Sequence, residues 1–488
     1  MTRSATSNYI YNLLNTITGT LFPLITFPYA TRIMLADGIG LVNFYNSIIS
    51  YIILVVGMGI PLYGVREVAR VRDDSYSTSK VACEILSLHG IFTIIGYIVI
   101  FLLSYYVPEI RAHADLFLIL SASVFFTTIG CNWFFQGIED FKYITIRAII
   151  VRLACMVFLF VFVKIRDDIL LYGIYSVLGS VGNNVFNLIR FRKHITIDRS
   201  VLSRFSPWHH LRKVSLVFIF TAISTIYLSL NSVFLGFMKG AAAVGYYTAG
   251  LKIYTVVFGV IGTLTTTLVP RFSNLISSQK NPERLKELAQ KAYRFVLCFT
   301  FPMCVGLIII SPYVVILFCG NSFQPSIIVS QIAAPMLVVV GLSNLLGMQF
   351  LYSMGHIRIL IMAALISSVV DIFVLLITAE LSQTGAVLSL LCAECSALAF
   401  ELIRGKKYFP IKFRDSSILY YSLASIVMGG IMLLVKWLNL SSLQNITLMF
   451  MLGFVSYVGT LLALRESLCC EIINRGYAKA CKYVKKDI

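Results

Sequence analysis

Fourteen apolar runs, each near the length a helix needs to cross a bilayer, occupy most of this chain. Six come first, at 9–33, 44–63, 83–106, 116–135, 143–163 and 169–191. Eight follow, at 214–238, 245–270, 292–319, 327–352, 357–379, 384–403, 418–436 and 446–464. In lipid the backbone has no water to bond, so runs of this length predict helices that satisfy their own peptide groups. The sequence is 58% hydrophobic and 13% charged, where a soluble domain carries about a quarter charged residues. The expected fold class is an all-α polytopic membrane protein with 14 transmembrane helices. The start of the chain, MTRSATSNYIYNLL, shows no small-residue cleavage site after a short apolar core, so the first span reads as an uncleaved anchor.

Charge orients these spans. The segment 190–213, RFRKHITIDRSVLSRFSPWHHLRK, carries Arg190, Arg192, Lys193, Arg199, Arg204, Arg212 and Lys213. Translocation disfavours Lys and Arg near span ends, so such a cluster marks the cytoplasmic side. Alternate loops agree. One set holds Arg66, Arg70, Arg72, Lys80, Lys142, Arg147, Arg271, Lys280, Arg284, Arg404 and Lys407, with a tail containing Arg475, Lys479, Lys482, Lys485 and Lys486. The other set holds only Arg32, Arg111, Lys164, Arg166, Lys239 and Lys436. An N-in/C-in topology follows. The net charge of +18 therefore faces the anionic leaflet, and nucleic acid is excluded as a partner.

The same basic segment reads as a hinge, at 190–213, between an N-lobe at 1–189 and a C-lobe at 214–404. Residues 405–488 then supply two accessory spans and a basic tail. A faint repeat supports two pseudo-symmetric six-helix lobes. GIGLVNFY at 38–45 opens the second span and AVGYYTAG at 243–250 opens the eighth, each after a tight Gly-containing connection. Superposing Gly40 on Gly245 pairs spans that cross in the same direction, as in parallel repeats. Breaks are expected at Pro23 and Pro28, at Gly57-Met58-Gly59-Ile60-Pro61, at Gly259 and Gly262, and at Pro302 and Pro335. Bent helices of this kind line cavities in transporters, although Pro and Gly are also simply frequent in membrane helices.

Signatures of enzymes are missing from the sequence: it has no Walker A loop, H-E-x-x-H or G-x-S-x-G. His209 and His210 have no carboxylate or Cys companions in sequence, so no metal site is expected there. Cys392 and Cys395 form a CxxC within an apolar run and read as small packing residues. Cys469-Cys470 reads as interfacial packing, with acylation the alternative. Asn439 and Asn445 stand in N-x-S/T sequons that have meaning only in a host that glycosylates there. Ionisable groups inside spans are costly and usually functional. Four stand out: Lys252, Arg152, Asp371 and Glu394. Lys252 either snorkels to the headgroups or faces a cavity that attracts a phosphate, and Gly245 and Gly250 leave room for the second reading. Arg152 is a further candidate for phosphate, with pairing to Glu139 or Asp140 as the alternative. Asp371 and Glu394 either bind a proton or Na⁺, or form a hydrogen-bonded pair that holds two helices together.

Three blocks resemble the Wzx-type oligosaccharide flippases, the polysaccharide biosynthesis proteins. They are IYNLLNTITGTLFPLITFPYATRIMLADGIGLVNFYNSIISYIILVVGMGIPLYGVREVARVRDD, NWFFQGIEDFKYITIR at 132–147, and SVFLGFMKGAAAVGYYTAGLKIY at 232–254. That family shares a superfamily with MATE-type multidrug exporters and the lipid II flippase. The resemblance implies a MATE-like, V-shaped bundle working by alternating access. Its substrate would be an undecaprenyl-diphosphate-linked oligosaccharide, an O-antigen or capsule repeat unit. Movement would be from the cytoplasmic to the periplasmic leaflet of a bacterial inner membrane, with other glycan-assembly membrane proteins as further partners. It also implies no enzyme activity and no cofactor beyond a coupling H⁺ or Na⁺. Residues 247–252, YTAGLK, resemble a diphosphate site that has Arg where this chain has Lys252. A cation site of some relatives corresponds to Asn231, Ser367 and Asp371, and two of those three depart from the Asp/Asn/Asp pattern. A basic residue late in the second span has no counterpart in LVVGMGIPLYG. The competing functions are a drug/cation antiporter of the same fold, a membrane glycan polymerase, and a scaffold of the assembly complex.

Overall fold

The computed structural model describes residues 5–195, 205–266, 282–438 and 441–471. Arg199, Arg204, Arg271, Lys280, Asn439 and the basic residues of the tail from Arg475 onward lie outside them. Every regular element among the described residues is helical. Nine of these helices are long and apolar enough to cross a membrane, or eleven if each of two bent pairs is one span. The chain divides into two compact units, 1–248 and 249–488.

The first unit begins with α1 (Ala5–Gly57), which is two arms joined at Leu35, where the backbone turns through φ 55° and ψ −172°. Contacts with α7 (Phe141–Phe162) show that the arms are antiparallel. Thr145, near the start of α7, donates to the Tyr11 carbonyl at 2.8 Å, and the Tyr29 hydroxyl donates to the Val163 carbonyl just past its end at 2.9 Å. Val68 of α2 (Ile60–Val71) then packs on Gly137, back near the start of α7. The chain thus climbs α7, reverses and returns. No break occurs at Pro23 or Pro28, through which α1 runs on; the break before α2 is at Met58 (φ 38°) and Gly59 (φ 76°).

The remaining elements of this unit are α3 (Ser75–Tyr106), α4 (Pro108–Arg111), α5 (Ala114–Ile129), α6 (Asn132–Gly137), α8 (Ile169–Val181), α9 (Asn183–His194), a 3-10 turn (Pro207–His210), α10 (Leu211–Lys239) and the start of α11 (Ala241–Thr266). On α3 the Asp74 carboxylate caps the Tyr76 and Ser77 amides, satisfying N–H groups that no helical carbonyl reaches. Ile94, Ile98, Phe101 and Tyr105 form an exposed row along that helix, while Leu88, Gly96 and Ile100 are buried. An exposed apolar row of this length suits lipid and not water. Two predicted spans are broken. The fourth divides at Cys131 (φ 44°) into α5 and α6, and the sixth bends by 43° at Gly182 between α8 and α9.

The faint repeat has a structural counterpart inside this unit. A Cβ on Gly40 would overlap the Ala241 carbonyl, and a Cβ on Gly245 would overlap the Ala36 carbonyl. The superposition that pairs Gly40 with Gly245 also pairs Ala36 with Ala241, so the contact is reciprocal. Only glycine allows two helix backbones this close.

The second unit contains the rest of α11, α12 (Pro282–Cys319), α13 (Ser326–Ala333), α14 (Met336–Ser343), a π-helical turn (Asn344–Tyr352), α15 (Ile357–Ile377), α16 (Gln383–Gly405), α17 (Ser416–Lys436) and α18 (Ser442–Ala463). The pairs α15–α16 and α17–α18 are helical hairpins, and α12 packs on α17 and α18. Pro335 bends the tenth span by 41°, as the sequence predicts. At Pro302 and Pro312, α12 continues. Proline removes the bond to the carbonyl four residues earlier. For Pro302 that is Cys298, and the Tyr457 hydroxyl donates to it at 2.7 Å. For Pro312 it is Ile308, which accepts from Ser311 Oγ and Gln331 Nε2, both at 3.1 Å. Tyr457 of α18, Gln331 of α13 and Ser311 of α12 itself thus supply the bonds that water cannot.

Candidate functional site

Lys252 lies on α11 two residues past Gly250. Gly250 has no Cβ, so Val329 of α13 packs into the vacant position, and Ser330 Oγ donates to the Gly250 carbonyl at 3.1 Å. This close approach fixes the rotation of α11 and leaves Lys252 half-buried. Burying an ammonium at the centre of a bilayer helix costs about 2.5–3.5 kcal/mol on insertion scales. An interhelical hydrogen bond in the same medium returns only about 0.6 kcal/mol.

On the same turn, Ile253 faces a cavity of about 610 Å³. Val257 of α11, Phe299 and Pro302 of α12, Met428 of α17 and Phe450 of α18 line it too. The wall is almost wholly apolar, because its one phenol, Tyr457, is spent on the Cys298 carbonyl. Pro302 therefore shapes the cavity wall without breaking α12. Methionines at Met303, Met428, Met432 and Met449 make the wall adaptable.

The acidic candidates are on the α15–α16 hairpin. Asp371 is fully buried, with Ser367 one turn earlier on the same buried face of α15 as Ala363 and Leu375. Glu394 of α16 is half-buried. Asn231 is also fully buried, on α10 of the first unit. Sequence reasoning missed Glu401, two turns beyond Glu394 on α16 and 4% exposed. Ser343 Oγ donates to its carboxylate at 2.9 Å, and its other oxygen stands over Gly347 of the π-helical turn. The spacing of seven from Glu394 was the available signal, since it puts both acids on one helix face. Among the described residues no group of three His, Cys, Asp or Glu side chains is arranged to hold a metal ion. Cys392 and Cys395 are exposed, and Ala393 and Ala397 take the packing positions expected of them. Asn445 is buried, which removes it as a glycan acceptor.

Arg152 is in the first unit and does not pair with Glu139 or Asp140. Its Nη1 donates to the Asn15 carbonyl at 3.0 Å and to Thr18 Oγ1 at 2.6 Å, clamping α7 to the first arm of α1. Glu139 pairs instead with Arg72 at 2.7 Å, and Asp140 with Arg190 at 2.7 Å. His210, expected to lack a carboxylate, has one. Its Nε2 is 3.0 Å from Glu84 and its Nδ1 is 2.6 Å from the Tyr63 hydroxyl, while Glu84 also accepts the Ser206 amide at 2.8 Å. The end of the basic segment is thereby docked on α2 and α3, whose residues are more than a hundred positions away in sequence.

These features define a multispanning helical membrane protein with ionisable side chains inside its spans and an apolar cavity in its second unit. A model of the polysaccharide biosynthesis protein family matches residues 5–276, and the chain belongs to that family. It is 24% identical to the putative O-antigen transporter of Escherichia coli (strain K12), over 82% of this chain and 97% of that protein. It is 23% identical to the putative O-antigen transporter of Shigella dysenteriae, over 78% and 95%. Its fold is that of the lipid II flippase MurJ in an inward closed conformation, with a TM-score of 0.74 at 17% identity over 95% of this chain and 99% of that one. An inward-facing MATE family multidrug resistance transporter of the MOP superfamily superposes with a TM-score of 0.62 at 13% identity, over 82% and 97%.

Proposed function

We propose that this protein is a flippase for a polyprenyl-diphosphate-linked oligosaccharide, carrying the sugar headgroup from the cytoplasmic to the periplasmic leaflet of a bacterial inner membrane. The observation that carries this reading is the half-buried Lys252 within a span, one residue before Ile253 of the apolar cavity. A diphosphate on an isoprenoid needs a cation and an apolar surface next to each other. An antiporter of organic cations needs the opposite charge at its entry, which is why the drug-export reading is second. The similarity to two putative O-antigen transporters over nearly their whole lengths supports the same choice.

In this mechanism fourteen helices, N-in and C-in, alternate between inward and outward access, with lobes at 1–189 and 214–404 hinged at 190–213. Lys252 offsets diphosphate charge where the low dielectric strengthens the pair. Arg152, held by α1, is the second cation of the pathway and transmits the position of α7 to that arm. Asp371 with Ser367 and Asn231, and Glu394 with Glu401, are the candidate sites for a coupling proton or Na⁺. The protein works alongside other membrane proteins of glycan assembly and performs no covalent chemistry.

The test is the sidedness of the lipid-linked oligosaccharide in cells depleted of the protein, probed with a glycan-modifying enzyme that cannot cross the inner membrane. Accumulation on the protected side is expected. Accumulation on the exposed side would refute flipping and favour a polymerase. Normal surface glycan with raised sensitivity to organic cations would favour the antiporter.

A further inference from the structure

The block NWFFQGIEDFKYITIR at 132–147 is used for neither the Lys252 cavity nor the acidic hairpin, yet it folds into a cluster of its own. Asn132, opening α6, accepts from Arg147 Nη2 at 3.1 Å and from Asn187 Nδ2 at 2.8 Å. Trp133 packs on Gly64, and Phe135 packs on Tyr143 and His194. The cluster therefore joins α2, α6, α7 and α9.

Its outer face is a cavity of about 530 Å³ between α7 and α9. Arg147, Arg190 and Lys193 line it with the Tyr143 ring. The guanidinium carbons of Arg147 and Arg190 stand 5.1 and 4.2 Å from that ring's centre. Arg147 is only 6% exposed, yet its Nε and Nη1 find no hydrogen-bond partner among the described residues, and neither do Arg190 Nε or the Tyr143 hydroxyl. Asp140 balances Arg190 at 2.7 Å. Arg147 and Lys193 have no acidic partner among the described residues. His194 lines it as well, and Ile146, Ile150, Phe186 and Ile189 give an apolar rim exposed at 43–58%.

Donors without acceptors at the base and bare aliphatic groups at the rim are the two halves of an amphiphile's site. Arg147 lies six residues into α7, about 9 Å along the axis from the start of that helix. Guanidinium groups bind phosphate oxygens through paired N–H donors. Basic pockets between spans on the cytoplasmic side are suited to anionic headgroups. We propose that this cavity is a binding site for an anionic phospholipid of the surrounding bilayer. The lipid phosphate takes the idle donors of Arg147, Arg190 and Tyr143, and its acyl chains lie along the Ile150–Phe186 rim. A bilayer lipid is the proposed occupant because the rim presents exposed apolar side chains, as a lipid-facing surface does. Bound there, the lipid bridges α7 and α9 and completes the cluster around Asn132.

Native mass spectrometry of the purified full-length protein tests this directly, with phosphatidylglycerol as the probe and phosphatidylethanolamine as the control. The wild type is expected to retain one phosphatidylglycerol preferentially. The double variant Arg190→Gln/Lys193→Gln should lower that occupancy at least five-fold without changing phosphatidylethanolamine adducts. Arg147→Gln should do the same. If it does not fold, the double variant, which leaves the Asn132 bonds in place, still decides. Equal phosphatidylglycerol occupancy in wild type and the double variant would overturn the proposal. Displacement of the bound lipid by one equivalent of undecaprenyl diphosphate would overturn it as well, by giving the site to the transported lipid. Because binding is read and not transport, failure here is separable from failure of the flippase reading.

Discussion

At the scale of single residues, the cost of an ion in lipid separates function from packing. Lys252 is a cation within a membrane-spanning helix, a placement that is costly and usually functional, so it is the residue on which the diphosphate role is tested. Lys252→Ala is expected to lower glycan export at least ten-fold at equal protein level, with Lys252→Arg near wild type; equal export by Lys252→Ala would remove the phosphate role. Asp415, in contrast, is a structural acid outside the spans. Burial alone would raise its pKa, but bonds from Arg294 Nε at 2.7 Å, Gln290 Nε2 at 2.6 Å and the Ser417 amide at 3.0 Å hold it down, to about 2. A folded value below the unfolded one, about 3.9, gives stability that is present above about pH 4 and is lost as pH falls towards 2. Thermal unfolding in detergent should therefore show an acid-labile step over that window, and Asp415→Asn should lose the step. Lys252 and Asp371 could be found in the sequence as isolated charges within apolar runs. Glu401 carried a weaker signal, its spacing of seven from Glu394, and lay near the assumed end of a span; the partners of Arg152 carried none, because they are 134 and 137 positions away.

At the scale of elements, helix breakers did two different things. Pro335 breaks its span with a 41° bend, whereas α12 runs on through Pro302, where Tyr457 satisfies the carbonyl that the proline frees. Removing that hydroxyl in Tyr457→Phe should cost about 1 kcal/mol. Pro302→Ala restores a backbone N–H to the same carbonyl, so the double variant should lose less than the sum of the two single losses in a thermal-stability cycle. The reciprocal Gly40–Ala241 and Gly245–Ala36 contacts make a second element-scale prediction. Gly40→Val and Gly245→Val should each abolish monodisperse folded protein on size-exclusion chromatography, whereas Gly430→Val, with open space around its Cβ, should not. The sequence repeat pointed to these glycines by their position after tight connections. That they touch one another was visible only in three dimensions.

At the scale of the whole molecule, the open question is what resets the transporter. If Asp371 or Glu394 binds the coupling ion, Asp371→Asn and Glu394→Gln should remove the response of flipping in proteoliposomes to an imposed Na⁺ or pH gradient. Unchanged gradient dependence in both would make these acids helix-pairing groups. Sequence alone determined the medium, the helical class and the family resemblance, because hydropathy and span length are local quantities summed over about 20 residues. It also exposed the in-span ions, whose penalty is paid wherever the helix sits. Tertiary structure alone decided which carbonyl each proline frees and who repairs it, that His210 meets Glu84, and that Arg147 stands with idle donors behind an apolar rim. Those outcomes depend on contacts between residues far apart in the chain, and no local pattern encodes which distant partner a side chain will meet.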